Sequence, residues 1–324
     1  MKITLNPNAK DAATRNALVA EGGFGKYYTD HMVVCEWTEK DGWAEPELKP
    51  YGPLSLDPAT AVFHYGQEIF EGMKAYRQPD GSISLFRPDA NSKRFANSAK
   101  RLALPEMPDA LFLETVETLV KQDAGWVPNK IGESLYIRPF MIATEVGLGV
   151  RPTNKATYIL IATPAGAYFD PSKAVSVWIS TEYVRAVQGG TGEAKCGGNY
   201  AASLVAQKAA AKEGCDQVVW IDAKERKWVE EMGGKRILVD CGLFQGLKQN
   251  RLKNWAKLPI DPASVDVVIL THAHIDHTGY LPLFVRNGFA GKVYCSYGTR
   301  DLCEILLPDW FLCGCWWWFQ YIVL

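Results

Sequence analysis

Gly189-Gly190-Thr191-Gly192-Glu193-Ala194-Lys195-Cys196-Gly197-Gly198-Asn199-Tyr200-Ala201-Ala202-Ser203 sets one lysine in a glycine-rich turn that runs into a helix. Five glycines between 189 and 198 let backbone approach a ligand closely, and from Ala202 onward ASLVAQKAAAKEG is strong helix-forming material. An anion or a ring could therefore sit beside Lys195. A lysine held there sheds its proton readily and can form a Schiff base with an aldehyde cofactor, while the Tyr200 phenol can hydrogen-bond a ring oxygen. Taken alone, the stretch also suits a solvated lysine in a flexible loop. What decides between the two lies elsewhere in the chain.

With 324 residues, 48% hydrophobic and 22% charged, the chain has room for two globular domains. A net charge of -1 argues against a nucleic-acid-binding surface spread over the whole molecule. Eight cysteines (35, 196, 215, 241, 295, 303, 313 and 315) form no small-domain framework, and the opening MKITLNPNAK has no apolar core of a leader. A reducing cytoplasm is the expected setting. No apolar run reaches the roughly 18 residues needed to span a bilayer, so no membrane is expected as a partner.

Residues 1–163 read as a mixed α/β unit. HMVVCEW (31–37) and SISLFRP (82–88) are strand-like. NSKRFANSAKRLAL places Phe95, Ala99 and Leu102 on one helix face, with Asp89 or Asn91 as its cap, and LFLETVETLVKQ (111–122) is a second amphipathic helix. Arg94 falls in the first turns, where free N–H groups favour an anion. Residues 164–174, PAGAYFDPSKA, carry two prolines and a glycine between β-branched runs and read as an interdomain loop. DQVVWID (216–222) and WVEE (228–231) then form a hairpin pattern that leaves Glu231 at a strand end.

YVRAVQGGTGEAKCGGNYAAS (183–203), FGKYYTDHM (24–32), HYGQEIFEGMKAYR (64–77), FRPDANSKRFANSAKRLALP (86–105), LYIRPF (135–140) and WVEEMGG (228–234) together resemble the branched-chain amino-acid aminotransferases, fold-type IV pyridoxal-phosphate enzymes. The resemblance implies that Lys195 carries pyridoxal 5'-phosphate and shuttles a proton. It implies that Arg94 binds the phosphate, that Arg185 lies close to the cofactor, that Tyr200 meets the ring oxygen and that Glu231 pairs with the pyridine nitrogen. Phe24, Tyr65, Phe70 and Tyr136 would line an apolar pocket for a branched side chain, supported by Arg138. Amino-acid and 2-oxo-acid substrates and a homodimer are implied as partners. The expected activity is transamination between branched-chain L-amino acids and 2-oxoglutarate.

After Gly233-Gly234 the character changes. ILVDCG (237–242), VDVVIL (265–270) and KVYCS are strand-like, TRDLCEILL is helical, and Thr271-His272-Ala273-His274-Ile275-Asp276-His277-Thr278-Gly279-Tyr280-Leu281-Pro282 follows the second strand directly. Three imidazoles and a carboxylate within six residues can be divided between two zinc ions about 3.5 to 4 Å apart with a bridging hydroxide. Residues 235–309 resemble metallo-β-lactamase-fold hydrolases of the RNA-processing branch. The match implies metal ligands His272, His274, Asp276 and His277, with Asp240 orienting a ligand from behind, and RNA as the substrate of this alternative. The only other histidines are His31 and His64. The later histidine and bridging aspartate of that family have no counterpart, so two metals cannot be completed within one chain.

Residues 310–324 are fifteen uncharged residues with four tryptophans, an aggregation hazard that fits neither family. The fold expected is therefore α+β: an aminotransferase class IV small domain (1–163), the loop 164–174, a truncated large domain with the lysine (175–234), and a partial αββα metallo-β-lactamase-like segment (235–309). A junction of partial domains reads as an artificial fusion, with cofactor affinity weakened because the family's later phosphate loops are missing.

Overall fold

A computed structural model describes residues 1–130, 132–166, 176–227, 229–232, 237–256, 258, 260–265 and 267–307. Most of the expected interdomain loop and the whole of 310–324 lie outside these residues. The chain divides into two compact units, Met1–Lys173 with Arg185–Leu204, and Ala174–Val184 with Val205–Leu324. The segment bearing Lys195 clusters with the first unit.

In chain order the first unit contains β1 (Lys2–Ile3), α1 (Ala12–Glu21), β2 (His31–Thr38), β3 (Gly42–Trp43), β4 (Glu47–Pro50), α2 (Ala61–Tyr65), β5 (Glu68–Phe70), β6 (Met73–Arg77), β7 (Ile83–Leu85), α3 (Pro88–Arg101), α4 (Asp109–Gln122), β8 (Ser134–Ala143) and β9 (Lys155–Ala165). Its sheet runs β1-β4-β2-β9-β8-β6-β7, with β3 added beside β2 and β5 beside β8. The spine is the antiparallel pair β8 and β9, in register from Ser134↔Ala165 to Ala143↔Ala156. Strict alternation in β8 buries Leu135, Ile137 and Met141 and turns Tyr136 and Arg138 to the opposite face. Two side chains with polar ends thus share one face at a spacing of two.

On the buried side α3 and α4 close the core. Phe95 and Ala99 of α3 and Phe112, Val116 and Leu119 of α4 are buried at helical spacing, and Phe95 and Phe112 meet at 5.4 Å between ring centroids. Tyr158 of β9 stands edge-on to Phe95, its hydroxyl 3.0 Å from Thr115 Oγ1. Full burial pushes that phenol well above its ordinary range. The cap expected at Asp89 or Asn91 falls earlier. Pro88 occupies the first turn and Arg87, at φ 48°, takes the cap position with no side-chain bond. Proline preset for the first helical turn moves the start ahead of both residues. Asn91 instead donates to Glu71 and, at 3.3 Å, to the Gly72 carbonyl.

The second unit starts with β10 (Val177–Ser180). After α5 (Gly197–Lys212) come β11 (Gln217–Ile221) and β12 (Val229–Met232), then β13 (Ile237–Val239), α6 (Lys248–Arg251), β14 (Val267–Ile269), α7 (Ile275–Thr278), α8 (Leu281–Arg286), β15 (Lys292–Tyr294) and α9 (Tyr297–Leu306). β10 pairs parallel with β11, and β11 antiparallel with β12, as the hairpin pattern predicts. The strands β13, β14 and β15 form a separate parallel sheet. Val268, Leu281, Phe284 and Val293 are its fully buried centre.

Phe112→Ala should cost about 3 to 5 kcal/mol, because the ring is fully buried between Phe95 and Tyr158 and a cavity would remain. A urea titration followed by far-UV circular dichroism reads the shift. A midpoint unchanged from the parent would contradict the packing described.

Candidate active site

The glycine-rich turn is built around Asn199, a residue the sequence reading passed over. Its amide nitrogen donates to the carbonyls of Thr191 (2.8 Å) and Ala194 (2.7 Å), and its oxygen accepts from the Thr191 hydroxyl at 2.7 Å. Asn199 is buried; it gives the Ala194 carbonyl a donor and adds a second to the Thr191 carbonyl, which already accepts from the Ala194 N–H at 2.9 Å. Gly189 sits at φ 79°, the left-handed region open to glycine, and the Gly189 and Gly190 carbonyls accept from Arg101 at 2.9 and 3.0 Å. Arg185 Nη1 lies 3.5 Å from the Gly192 carbonyl. Arg185 thus reaches the backbone of the same turn.

Lys195 is anchored by backbone on two sides. Its N–H donates to Ser98 Oγ of α3 and its carbonyl accepts from the Phe70 N–H, both at 2.9 Å. The amine donates to the Tyr200 hydroxyl at 2.9 Å and lies 4.7 Å from the centre of the Phe70 ring. Phe70 and Tyr200 are themselves 5.0 Å apart. A lysine tied down at both peptide groups, with a phenol as partner, has lost much of the freedom it would have in a solvated loop.

Around this amine the structure brings together further residues of the expected set. The Arg138 guanidinium stacks 4.6 Å over Phe70 and donates to Tyr136 Oη at 2.9 Å. Phe24 meets Tyr136 edge-on at 4.9 Å. Arg138 Nε is buried without a hydrogen-bond partner. Arg94 lies on α3 with Nε and Nη2 on the two oxygens of Glu71, at 2.8 and 2.9 Å. Glu71 is fully buried, and a buried carboxylate needs such pairing. Its hydrogen bonds are the main cause holding the Arg94 guanidinium above its usual range. Tyr65 differs: its hydroxyl donates to the Leu148 carbonyl. Glu71 falls within the stretch HYGQEIFEGMKAYR (64–77), but nothing in the sequence revealed its burial.

Glu231 belongs to the second unit, on β12 opposite Trp220. In that unit the histidine motif also gathers. His277 Nδ1 lies 2.7 Å from Asp240 Oδ2, His272 Nε2 lies 3.1 Å from His274 Nδ1, and the rings of His272 and His277 are 3.9 Å apart. Asp276 is 3.6 Å from His277 Nε2. Asp240 adopts φ 59° and accepts from the Thr271 N–H at 2.8 Å. Burial works to raise its carboxyl, but bonds from His277 and Thr271 outweigh it and hold the group below the ordinary range. The paired imidazole nitrogens meet one another, Asp240, Asp276 and the Thr271 hydroxyl. Among the described residues no group of three or more His, Cys, Asp or Glu is arranged to hold a metal ion. The expected ligands His272, His274, Asp276 and His277 are thus gathered, but as arranged here they lend zinc no support, since a zinc site needs convergent lone pairs.

Residues 68–231 match the family model for amino-transferase class IV. This chain belongs to that family. The class IV aminotransferase match contains Lys195, and a model of the metallo-beta-lactamase superfamily takes over at residues 228–310. The branched-chain-amino-acid aminotransferase of Mycolicibacterium smegmatis is 59% identical over 242 residues, which are 74% of this chain and 66% of that protein. Branched-chain-amino-acid aminotransferase 2 of Bacillus subtilis is 40% identical over 292 residues, 85% of this chain and 79% of that one. The class IV chain thus spans 66% of the length of the first of these relatives. A T.th. branched-chain amino acid aminotransferase complexed with N-(5'-phosphopyridoxyl)-L-glutamate aligns at a TM-score of 0.50 with 25% identity, over 64% of this chain and 67% of that one. The Escherichia coli enzyme, at 0.51 and 21%, shares the fold over the same proportions.

Asn199→Ala should loosen residues 191–194 and cost about 1 to 3 kcal/mol, since the carbonyl of buried Ala194 loses its donor and the Thr191 carbonyl keeps only the Ala194 N–H. Amide exchange resolved by peptide, with a denaturation midpoint, measures both. Unaltered exchange across the turn would show that Asn199 does not hold it.

Proposed function

We propose that the first unit binds pyridoxal 5'-phosphate on Lys195 and serves transamination between branched-chain L-amino acids and 2-oxoglutarate. The observation that carries this reading is the Lys195 amine, fixed at both its peptide groups and hydrogen-bonded to the Tyr200 phenol. Donor chemistry fits the cofactor: an amine for its aldehyde, a phenol for its ring oxygen and an arginine for its phosphate. When bound, the cofactor supplies an aldehyde for the amine and a ring that withdraws electron density from the substrate Cα. Lys195 then holds or moves a proton at Nζ, with Tyr200 as its hydrogen-bond partner. Arg94 supplies one fixed positive charge, partly balanced by Glu71. Phe24, Phe70 and Tyr136 offer apolar surface for a branched side chain. The unpartnered Nε of Arg138 is a donor for the polar end of a substrate.

On this reading Glu231 meets the pyridine nitrogen, Arg185 stands near the cofactor and Tyr65 borders the pocket, as the family resemblance implies. It also divides the chain at the loop 164–174 and at the change of sequence after residue 234, with a homodimer as the working assembly. Six free cysteines among the described residues support a reducing, cytoplasmic setting. No helix among the described residues is long and apolar enough to cross a membrane. Zinc-dependent hydrolysis of RNA by 235–309 rests on the gathered histidines and the 228–310 match alone. It lacks the convergent ligands that hydroxide activation requires, and we favour transamination.

Lys195→Ala should abolish borohydride-trappable attachment of pyridoxal phosphate, read as a mass shift on the peptide bearing residue 195. An unchanged adduct on the variant would sink the assignment.

Arg94→Ala combined with Glu71→Gln, which leaves no buried carboxylate without its arginine, should weaken pyridoxal phosphate binding about tenfold or more while leaving phosphate-free pyridoxal nearly unaffected, because one charge-assisted contact is lost. Equal loss for both ligands in a spectral titration would place Arg94 away from the phosphate.

A further inference from the structure

The outer edge of β5 faces the lysine turn, its inner edge being taken by β8 from Glu68↔Ile142 to Phe70↔Phe140. Along the outer edge the Phe70 N–H donates to the Lys195 carbonyl at 2.9 Å. Two residues further along the turn, the Gly197 N–H donates to Glu68 Oε1. A side-chain oxygen of β5 thus takes the place a backbone carbonyl would fill in a ladder. Gly197 opens α5, and the first four N–H groups of a helix have no partner within it. A Cβ on Gly197 would overlap Glu68 Oε1, so any larger residue there would displace that carboxylate from the turn.

We propose that Glu68 is a positioning residue for Lys195: its carboxylate fixes the start of α5 against β5 and so holds the turn in the register that points the lysine amine at Tyr200 and Phe70. This rests on the reading that Lys195 carries pyridoxal phosphate. Lys195 is held at its own N–H by Ser98 and at its carbonyl by Phe70, but neither contact sets the path of the chain from Cys196 into the helix. Beyond the lysine, Asn199 ties the start of α5 back to the turn itself, and Glu68 adds the point that ties it to β5, with Tyr200 following within the first helical turn. Burial pushes the Glu68 carboxyl above its ordinary range, while the Gly197 N–H and the Arg138 charge pull the other way. The contact needs an acceptor oxygen rather than a charge, which a glutamine retains.

The test compares Glu68→Ala, Glu68→Gln and the parent by amide exchange at Gly197 and by borohydride trapping of pyridoxal phosphate on Lys195. Glu68→Ala should exchange the Gly197 amide about tenfold faster and cut trapping by a similar factor, while Glu68→Gln restores both to within about threefold of the parent. Unchanged protection of β8 and β9 amides shows that the alanine variant is folded. If that protection is lost, Gly197→Ala in the parent background, which drives a Cβ into the Glu68 carboxylate, should reproduce the faster turn exchange. Parent-like protection and trapping in Glu68→Ala, or a glutamine variant as impaired as the alanine one, overturns the proposal. If the parent itself traps nothing on Lys195, the functional reading fails, and the exchange arm still decides whether Glu68 holds the turn.

Discussion

The antiparallel pairing of β8 with β9 is the constraint on which the first unit depends. It fixes alternate faces along its whole length, so the register that buries Leu135, Ile137 and Met141 against the helices necessarily presents Tyr136 and Arg138 together on the other side. A slip of one residue would exchange the two sets. β5 docks on the same strand, and through β5 the lysine turn is referenced to β8 as well. Site geometry is in this sense inherited from the sheet.

Charge is handled by pairing inside that frame. Glu71 is fully buried and is satisfied by Arg94 and Asn91, both from the first turns of α3. Breaking one partner of such a pair costs far more than the pair contributes, which makes Arg94 a rigid cation rather than a mobile one. Rigid placement suits phosphate recognition. It also means that part of the charge offered to a ligand is already balanced by Glu71.

The second unit shows how much a motif depends on its surroundings. Asp240 and Thr271 bring the histidines to one place through strand ends of a three-stranded parallel sheet. Gathering is local, since the short stretch from His272 to His277 supplies all three imidazoles. Convergence is not, because ring nitrogens turn to partners that stand nearby, His277 to Asp240 and Asp276 and His272 to Thr271 and His274.

The sequence alone was enough to identify the lysine turn, the helices α3 and α4 through their apolar spacing, the β11–β12 hairpin and the change of character after residue 234. These are properties of local periodicity and of motifs read within a short window. Only the tertiary structure decided that Asn199 ties the turn together, that Arg94 is committed to a buried Glu71, that Tyr65 bonds to Leu148, and that Glu68 reaches the first amide of α5. Each of those contacts joins residues whose partners depend on strand register and helix docking, and carboxylates and amides carry no sequence mark of which donor will face them once water is excluded. The helix start at Arg87 and Pro88 belongs between the two. Its proline was visible in the sequence and sets the start at Pro88, whereas the Asn91 partner, buried Glu71, was not.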